Sequence, residues 1–376
     1  MSTVAVPNPR PTASEDAESL RKALQGNAYL LALSQPSHGC RRLNFYSHCF
    51  VLVSFISFKR CCIAIATDNG DLFSVNVGWR ADKSSLIGIL CRRTAAQRAA
   101  IRRAYAFLYR ESLLNCFRYK LSRHCLLSAD FWKALILWTM DPAERDANLL
   151  HEAVKKKDEN YILVLIEVSC ASTPDHLMAV RKIYSKLFSS SIEEDVASSP
   201  AFQEPLKKML VSLVSSYRYD GEHVDMDVAK LEAAQLSEAI REKQLLHGNE
   251  VVRIISTRSK SQLAATFQQY KGDQGRDIVE DISSQCSDRF CRMLNSAIWC
   301  LTSPEKHFAQ VIRYSILGLG TYEDMLTRVI VSRAEIDMKQ IKEEYRARYK
   351  SAVNLDVAGD TSFGYRDMLL ALVARE

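Results

Sequence analysis

One stretch of the chain has the residue types and spacing to hold a hard cation. Gly318-Leu319-Gly320-Thr321 forms a glycine-rich turn ahead of a helical pattern, and Asp360 follows after thirty-eight intervening residues. A Gly-x-Gly turn can bend tightly enough to aim several backbone carbonyls at one point, and a remote carboxylate can close the oxygen cage that an ion such as Ca²⁺ requires. The alternative is an ordinary glycine turn with a solvated aspartate elsewhere. Choosing between the two depends on the elements that must bring the turn and the acid together.

Those elements repeat. Segments beginning at Arg93, Ser172, Arg258 and Arg333 align without gaps. Each has a tyrosine twelve residues on, at Tyr105, Tyr184, Tyr270 and Tyr345; eleven residues beyond that, three have an aspartate, Asp195, Asp281 and Asp356, where the first has Cys116. Asp360 therefore occupies a fixed register position. Apolar residues within each copy recur at helical spacing, as in Ile336, Ile341, Tyr345 and Tyr349 with charges between them, and this predicts an all-α chain of four stacked units.

With 376 residues the chain is long enough for a sizeable core, and a net charge of +6 is too mild for a dedicated nucleic-acid binder. An anionic lipid surface fits that charge equally well. The first twenty residues lack the apolar core of a signal peptide, so the expected location is the cytoplasm. Eleven cysteines without a secretory signal predict reduced thiols instead of a disulfide framework.

Taken together these residues resemble the annexin family, specifically its plant branch. The resemblance covers about residues 15–26 and 78–376 and rests on Gly318-Leu319-Gly320-Thr321 with Asp360, Val331-Ser332-Arg333-Ala334-Glu335-Ile336-Asp337, Trp138-Thr139-Met140-Asp141-Pro142 and Leu213-Val214-Ser215-Ser216-Tyr217-Arg218-Tyr219. It implies four repeats of about five helices forming a curved disc, expected after a tail at 1–14 as 15–140, 141–216, 217–302 and 303–376. It further implies a calcium-dependent, phospholipid-binding peripheral membrane protein, with acidic membranes and actin as partners, no nucleic acid, a monomer or weakly self-associating state, and roles in stress or membrane trafficking. Carried over by position, the Ca²⁺ ligands are the carbonyls of Ile316, Gly318 and Gly320 and the carboxylate of Asp360, with Leu319 and Thr321 facing lipid.

The same register predicts no Ca²⁺ site in the other repeats, because Lys120, Ser199 and Gln285 stand where Asp360 would be. Basic residues occupy the equivalent loops, Arg80 beside Trp79 in the first and Lys155, Lys156 and Lys157 in the second, and all five are expected to face lipid. Each basic group near an anionic leaflet contributes about 1 kcal/mol, so a calcium-independent contribution to lipid binding is expected. A solvated charge run is the alternative.

Residues 27–78 interrupt the resemblance, since their removal joins Gly26 directly to Trp79. A membrane span is excluded by Lys59-Arg60, which divides two short apolar runs. A β-hairpin turning at Asp68-Asn69-Gly70-Asp71 is one reading. A translated intron is the other, favoured by how cleanly the flanks rejoin.

No enzyme motif is recognisable: neither a phosphate-binding Gly-x4-Gly-Lys loop nor HExxH is present. The family resemblance leaves nucleotide hydrolysis, peroxidase activity and ion conduction as alternatives. The position it implies for a peroxidase histidine is Arg92. Its redox-sensitive thiols map to Cys170 and Cys300, which the apolar surroundings mark as buried structural cysteines. Asp141, Glu144 and Arg145 read as salt-bridging groups on a polar interface.

Overall fold

The structure is a computed structural model that describes residues 11–25, 27–32, 50–52, 61–66, 72–123, 129–156, 158–242, 249–318 and 320–375. Among them lie twenty helices and four strands. The helices fall into four successive groups of five, α1–α5 (from Ala13–Gln25 to Ala129–Thr139), α6–α10 (Pro142–Val154 to Leu206–Ser215), α11–α15 (Met226–Arg241 to Arg289–Thr302) and α16–α20 (Pro304–Ser315 to Phe363–Val373). No described helix is long and apolar enough to cross a membrane.

The repeat register has a physical origin. In the first three groups its second residue is the N-cap of the third helix: Thr94 opens α3 (Ala95–Tyr109) with a capping box to Gln97, Thr173 caps α8 (Pro174–Phe188), and Ser259 caps α13 (Lys260–Gln274). In the fourth group α18 (Met338–Tyr349) lacks a side-chain cap, and Arg333 instead pairs with Asp337 at 2.5 Å. Each of these helices ends in a left-handed residue five positions beyond its tyrosine: Arg110, Ser189, Gly275 and Lys350. The tyrosine then bonds the aspartate of the next helix. Tyr184 donates to Asp195, Tyr270 Oη to Asp281 at 2.8 Å and Tyr345 Oη to Asp356 at 2.7 Å. In the first group, Tyr105 Oη accepts from Arg21 at 3.0 Å.

Two compact units, Ala5–Leu113 and Leu114–Glu376, divide the chain. In the larger one, a continuous core runs from Ala143 to Leu301 through Leu165, Tyr184, Met209, Ile254 and Leu294. In the smaller unit, α1 is joined to the turn that leads into α3 by a buried bidentate pair, Arg93 to Asp16 at 2.7 and 2.8 Å. Between α1 and α2 (Lys83–Leu90) lies an antiparallel sheet of order β1-β4-β3-β2, made of Asn27–Ala32, Phe50–Leu52, Cys61–Ala66 and Leu72–Arg80. β3 and β4 are the two arms of the expected hairpin, starting from Ala66↔Leu72; the turn itself lies outside the described residues. The sheet also exceeds that expectation, because β1 and β2 add a strand on each side. The Asp82 N–H bonds the Ala23 carbonyl at 2.8 Å, so the chain leaves and re-enters the helical frame at one place.

One cysteine expectation is corrected. Cys286 and Cys291 form a disulfide, because the short turn between α14 (Ile278–Gln285) and α15 sets their Cα atoms 6.1 Å apart, within reach of an S–S bond. Cys91, Cys116, Cys170 and Cys300 are buried. Burial pushes the Cys170 and Cys300 thiols up, away from the reactive thiolate form.

Candidate metal centre

The loop between α16 and α17 (Glu323–Arg333) and the end of α19 (Val353–Asp360) meet. Two contacts hold α19 in place. Arg313, near the end of α16, donates to Asp356 at 3.1 Å, and Tyr345 of α18 donates to the same carboxylate oxygen. Val353 and Val357 anchor the buried face of α19. One turn beyond Asp356, Asp360 then arrives at the loop, where Thr321 Oγ1 donates to its Oδ2 at 2.6 Å and lies 3.0 Å from its carbonyl.

The loop itself is closed by the Tyr322 N–H on the Ser315 carbonyl at 2.8 Å. Gly318 and Gly320 have φ of 122° and 110°, the region in which L side chains are strained. A Cβ at either would meet nothing within 4 Å, so glycine is required there by backbone conformation and not by space. Ile316 caps α16, Leu317 is about half exposed, and Leu319 lies outside the described residues. The polar groups that the loop and Asp360 could offer an ion are carbonyl and carboxylate oxygens, the donor chemistry of a hard cation such as Ca²⁺.

The equivalent position in the other groups is chemically different in each case. Ser199 is buried and donates to the Val154 carbonyl at 2.7 Å, so a neutral hydroxyl ties the helix end down. Lys120 is half-buried, and burial pulls its pKa below the ordinary lysine value. Gln285 is exposed.

In the second group, Lys155 Nζ lies 2.6 Å from His151 Nε2, and Lys156 Nζ donates to Tyr161 Oη at 2.7 Å while sitting over its ring. His151 also bonds Tyr184 through Nδ1 at 3.1 Å. Because Tyr184 donates onward to Asp195, Nδ1 carries the proton and Nε2 accepts from Lys155. Burial and the adjacent Lys155 charge hold His151 below its ordinary pKa, consistent with that neutral ring. Lys157 lies outside the described residues.

Trp79 and Arg80 are placed differently from expectation. Both belong to β4, opposite Ala28 and Asn27, so the strand consumes what the sequence assigns to a loop. The charges at the start of α6 also pair differently. Asp141 caps the helix, while Arg145 bonds Asp146 at 2.7 Å, a buried neighbour that also receives His176 Nε2 at 2.7 Å. Sequence reasoning did not foresee the Arg313–Asp356 tether or the side-chain link from Thr321. The register aspartate four residues before Asp360 was the available signal.

A family model described as annexin matches residues 76–125, 145–213, 232–296 and 307–372. The chain belongs to the annexin family. Annexin D3 of Arabidopsis thaliana is 43% identical over 313 residues, 82% of this chain and 95% of the relative. The annexin-like protein RJ4 of Fragaria ananassa is 43% identical over 299 residues, 80% and 92% of the two chains. Among solved structures, annexin III matches with a TM-score of 0.71 at 27% identity over 79% of this annexin and 89% of that chain. A calcium-bound annexin (Sm)1 matches with a TM-score of 0.67 at 25% identity over 79% and 86%. The first matched segment begins at residue 76, inside β4, so α1 of this annexin lies upstream of the matched part of its first repeat.

Proposed function

We propose that this annexin is a calcium-dependent, phospholipid-binding protein whose Ca²⁺ site is in the fourth repeat. Annexins as a family bind calcium and phospholipid, and the repeats of this one are 15–140, 141–216, 217–302 and 303–376. The carbonyls of Ile316, Gly318 and Gly320 and the carboxylate of Asp360 would hold the ion, which would supply the positive charge that attracts lipid phosphate. The observation that carries this reading is the Thr321–Asp360 hydrogen bond, which fixes an acid beside a loop whose glycines have left-handed backbones. Leu319 and Thr321, together with Lys155, Lys156, Lys157, Trp79 and Arg80, complete the lipid-facing set, and the protein acts peripherally on cytoplasmic membrane surfaces as a binder and not as an enzyme.

The test is co-sedimentation with vesicles of acidic phospholipid across a calcium titration. Asp360→Asn keeps the size of the side chain and removes the charge, and it should raise the calcium needed for half-maximal pelleting by at least about tenfold. Unchanged pelleting would place the site elsewhere. In chelator at low salt, residual pelleting should disappear when Lys155, Lys156 and Lys157 are changed to Glu; persistence would remove the basic loop from the lipid-facing set.

A further inference from the structure

Away from the loops, one cluster among the described residues brings three metal-ligating side chains together: Cys286, Asp288 and Cys291, whose ligand atoms lie within 4.8 Å of one another. The cluster is built by a tight turn. Cys286 ends α14, its N–H on the Ile282 carbonyl at 2.9 Å; Asp288 caps α15, its Oδ1 accepting the Cys291 N–H at 2.8 Å; and Cys291 sits in the first helical turn. Cys291 is fully buried, Cys286 is half-buried and Asp288 is exposed, so the group opens to solvent through Cys286 and the carboxylate.

We propose that this turn is a redox-gated site for a soft divalent cation of the Zn²⁺ type, closed as the Cys286–Cys291 disulfide and open as the dithiol. Two thiolates and the Asp288 carboxylate are the protein ligands, and water fills the fourth tetrahedral position. The sulfur donors separate this chemistry from the oxygen-only loop of the fourth repeat. The site also directly follows Gln285, so the third repeat has a sulfur pair one residue beyond the point where the fourth has its acid.

Opening needs a thiol reductant such as glutathione. The S–S bond breaks, each protein sulfur gains a hydrogen, and two reductant thiols join as their disulfide. Metal binding then releases the two thiol protons. Peroxide closes the metal-free site again: the two thiols give up two electrons and two protons, and one peroxide becomes two waters. Two thiolates and one carboxylate around a dication leave one surplus negative charge. The Asp288 carboxylate is exposed, so water screens that charge, while Arg292, whose Nη1 donates to the Ser287 carbonyl at 2.5 Å, spends its charge on Glu159 at 2.6 Å.

The experiment uses the full chain, reduced and freed of reductant without air, with Co²⁺ as a spectroscopic probe and Zn²⁺ for stoichiometry by native mass spectrometry. Reduced protein should show thiolate-to-cobalt charge-transfer absorption and bind more zinc than the peroxide-treated form by one ion per chain. Cys286→Ser, at a half-buried position, should lose both signals while keeping its far-UV circular dichroism. Asp288→Asn retains the helix cap, because asparagine caps as well as aspartate, yet removes a charged ligand; it should weaken zinc binding by about tenfold. Asp360→Asn should leave the cobalt spectrum unchanged. The proposal is overturned if reduced wild type shows no such absorption, if Cys286→Ser shows it undiminished, if Asp288→Asn binds zinc like wild type, or if Asp360→Asn abolishes it.

Discussion

Thr321 Oγ1 lies 2.6 Å from Asp360 Oδ2, so the residue that follows the second glycine of the loop holds the distant acid beside it. A hydroxyl can donate here without neutralising the carboxylate. Thr321→Val preserves shape and removes that donor. The hydrogen bond is partly buried and its acceptor is charged, so its loss should cost about 1 kcal/mol in ion affinity, or about fivefold in the calcium needed for vesicle binding. Global stability should change by less than about 0.5 kcal/mol, because neither Thr321 nor Asp360 is a core residue. Calcium titration of pelleting and urea denaturation of the same preparation check the two halves. A Thr321→Val protein with wild-type calcium dependence would remove the positioning role.

The left-handed helix ends make a second prediction. Gly275 adopts φ 70° without cost, whereas Lys350 adopts φ 56° with a side chain attached. A left-handed L-residue costs roughly 1–2 kcal/mol, partly offset by the greater unfolded-state freedom of glycine. Lys350→Gly should therefore stabilise the protein by about 0.5–1 kcal/mol. Gly275→Ala should destabilise it by about 1 kcal/mol, with no steric contribution, since a Cβ there meets nothing within 4 Å. Urea midpoints of the two variants should move in opposite directions.

These same helix ends explain how much of the architecture could be read in advance. The caps, the tyrosine and the aspartate form a local hydrogen-bonded framework spanning the third and fourth helices, so their spacing is rigid and survives in sequence as a gapless register. Loop and acid were legible for the same reason: Asp360 is fixed relative to Asp356, and Asp356 is fixed by Tyr345 and Arg313. What was not legible depends on direction rather than spacing. Trp79 and Arg80 read as part of a loop, but β4 runs through them because Ala28 and Asn27 supply a pairing strand. The four residues between Cys286 and Cys291 do not reveal whether the intervening turn aims the sulfurs together.

Asp146 supplies a pH dependence. Burial opposes ionisation of its carboxyl, but the guanidinium of Arg145 and the ring of His176, each at 2.7 Å, outweigh burial and hold the group below its ordinary 3.8. A carboxylate depressed in the folded state stabilises fully above its unfolded pKa, and that contribution is lost as pH falls through the folded value. Stability should accordingly fall on acidification below about pH 4. Asp146→Asn leaves Arg145 buried without its charge partner, which should cost about 3 kcal/mol at neutral pH and flatten the acid limb. Urea midpoints between neutral and about pH 3 measure both effects. A variant whose acid limb is as steep as the wild type's would assign that limb to other carboxylates.

The inserted sheet leads to the last prediction. Its two ends meet at the helical frame, where the Asp82 N–H bonds the Ala23 carbonyl and Asn27 pairs with Arg80. On either side of it, Asp16 and Arg93 form a buried pair whose two hydrogen bonds involve no residue of the insert. Deleting residues 27–78 should therefore leave α1 against α3. It should also shorten the loop that this pairing closes, lowering the entropic cost of closure by about 1 kcal/mol. The expected deletion protein unfolds cooperatively, is at least as stable as the full chain in urea, and pellets with acidic vesicles at the same calcium concentration. Asp16→Asn should destabilise both versions by about 3 kcal/mol, since each would retain a buried arginine without its partner. A deletion protein that fails to fold, or one in which Asp16→Asn has no effect, would show that the sheet and not the Asp16–Arg93 pair holds α1 in place.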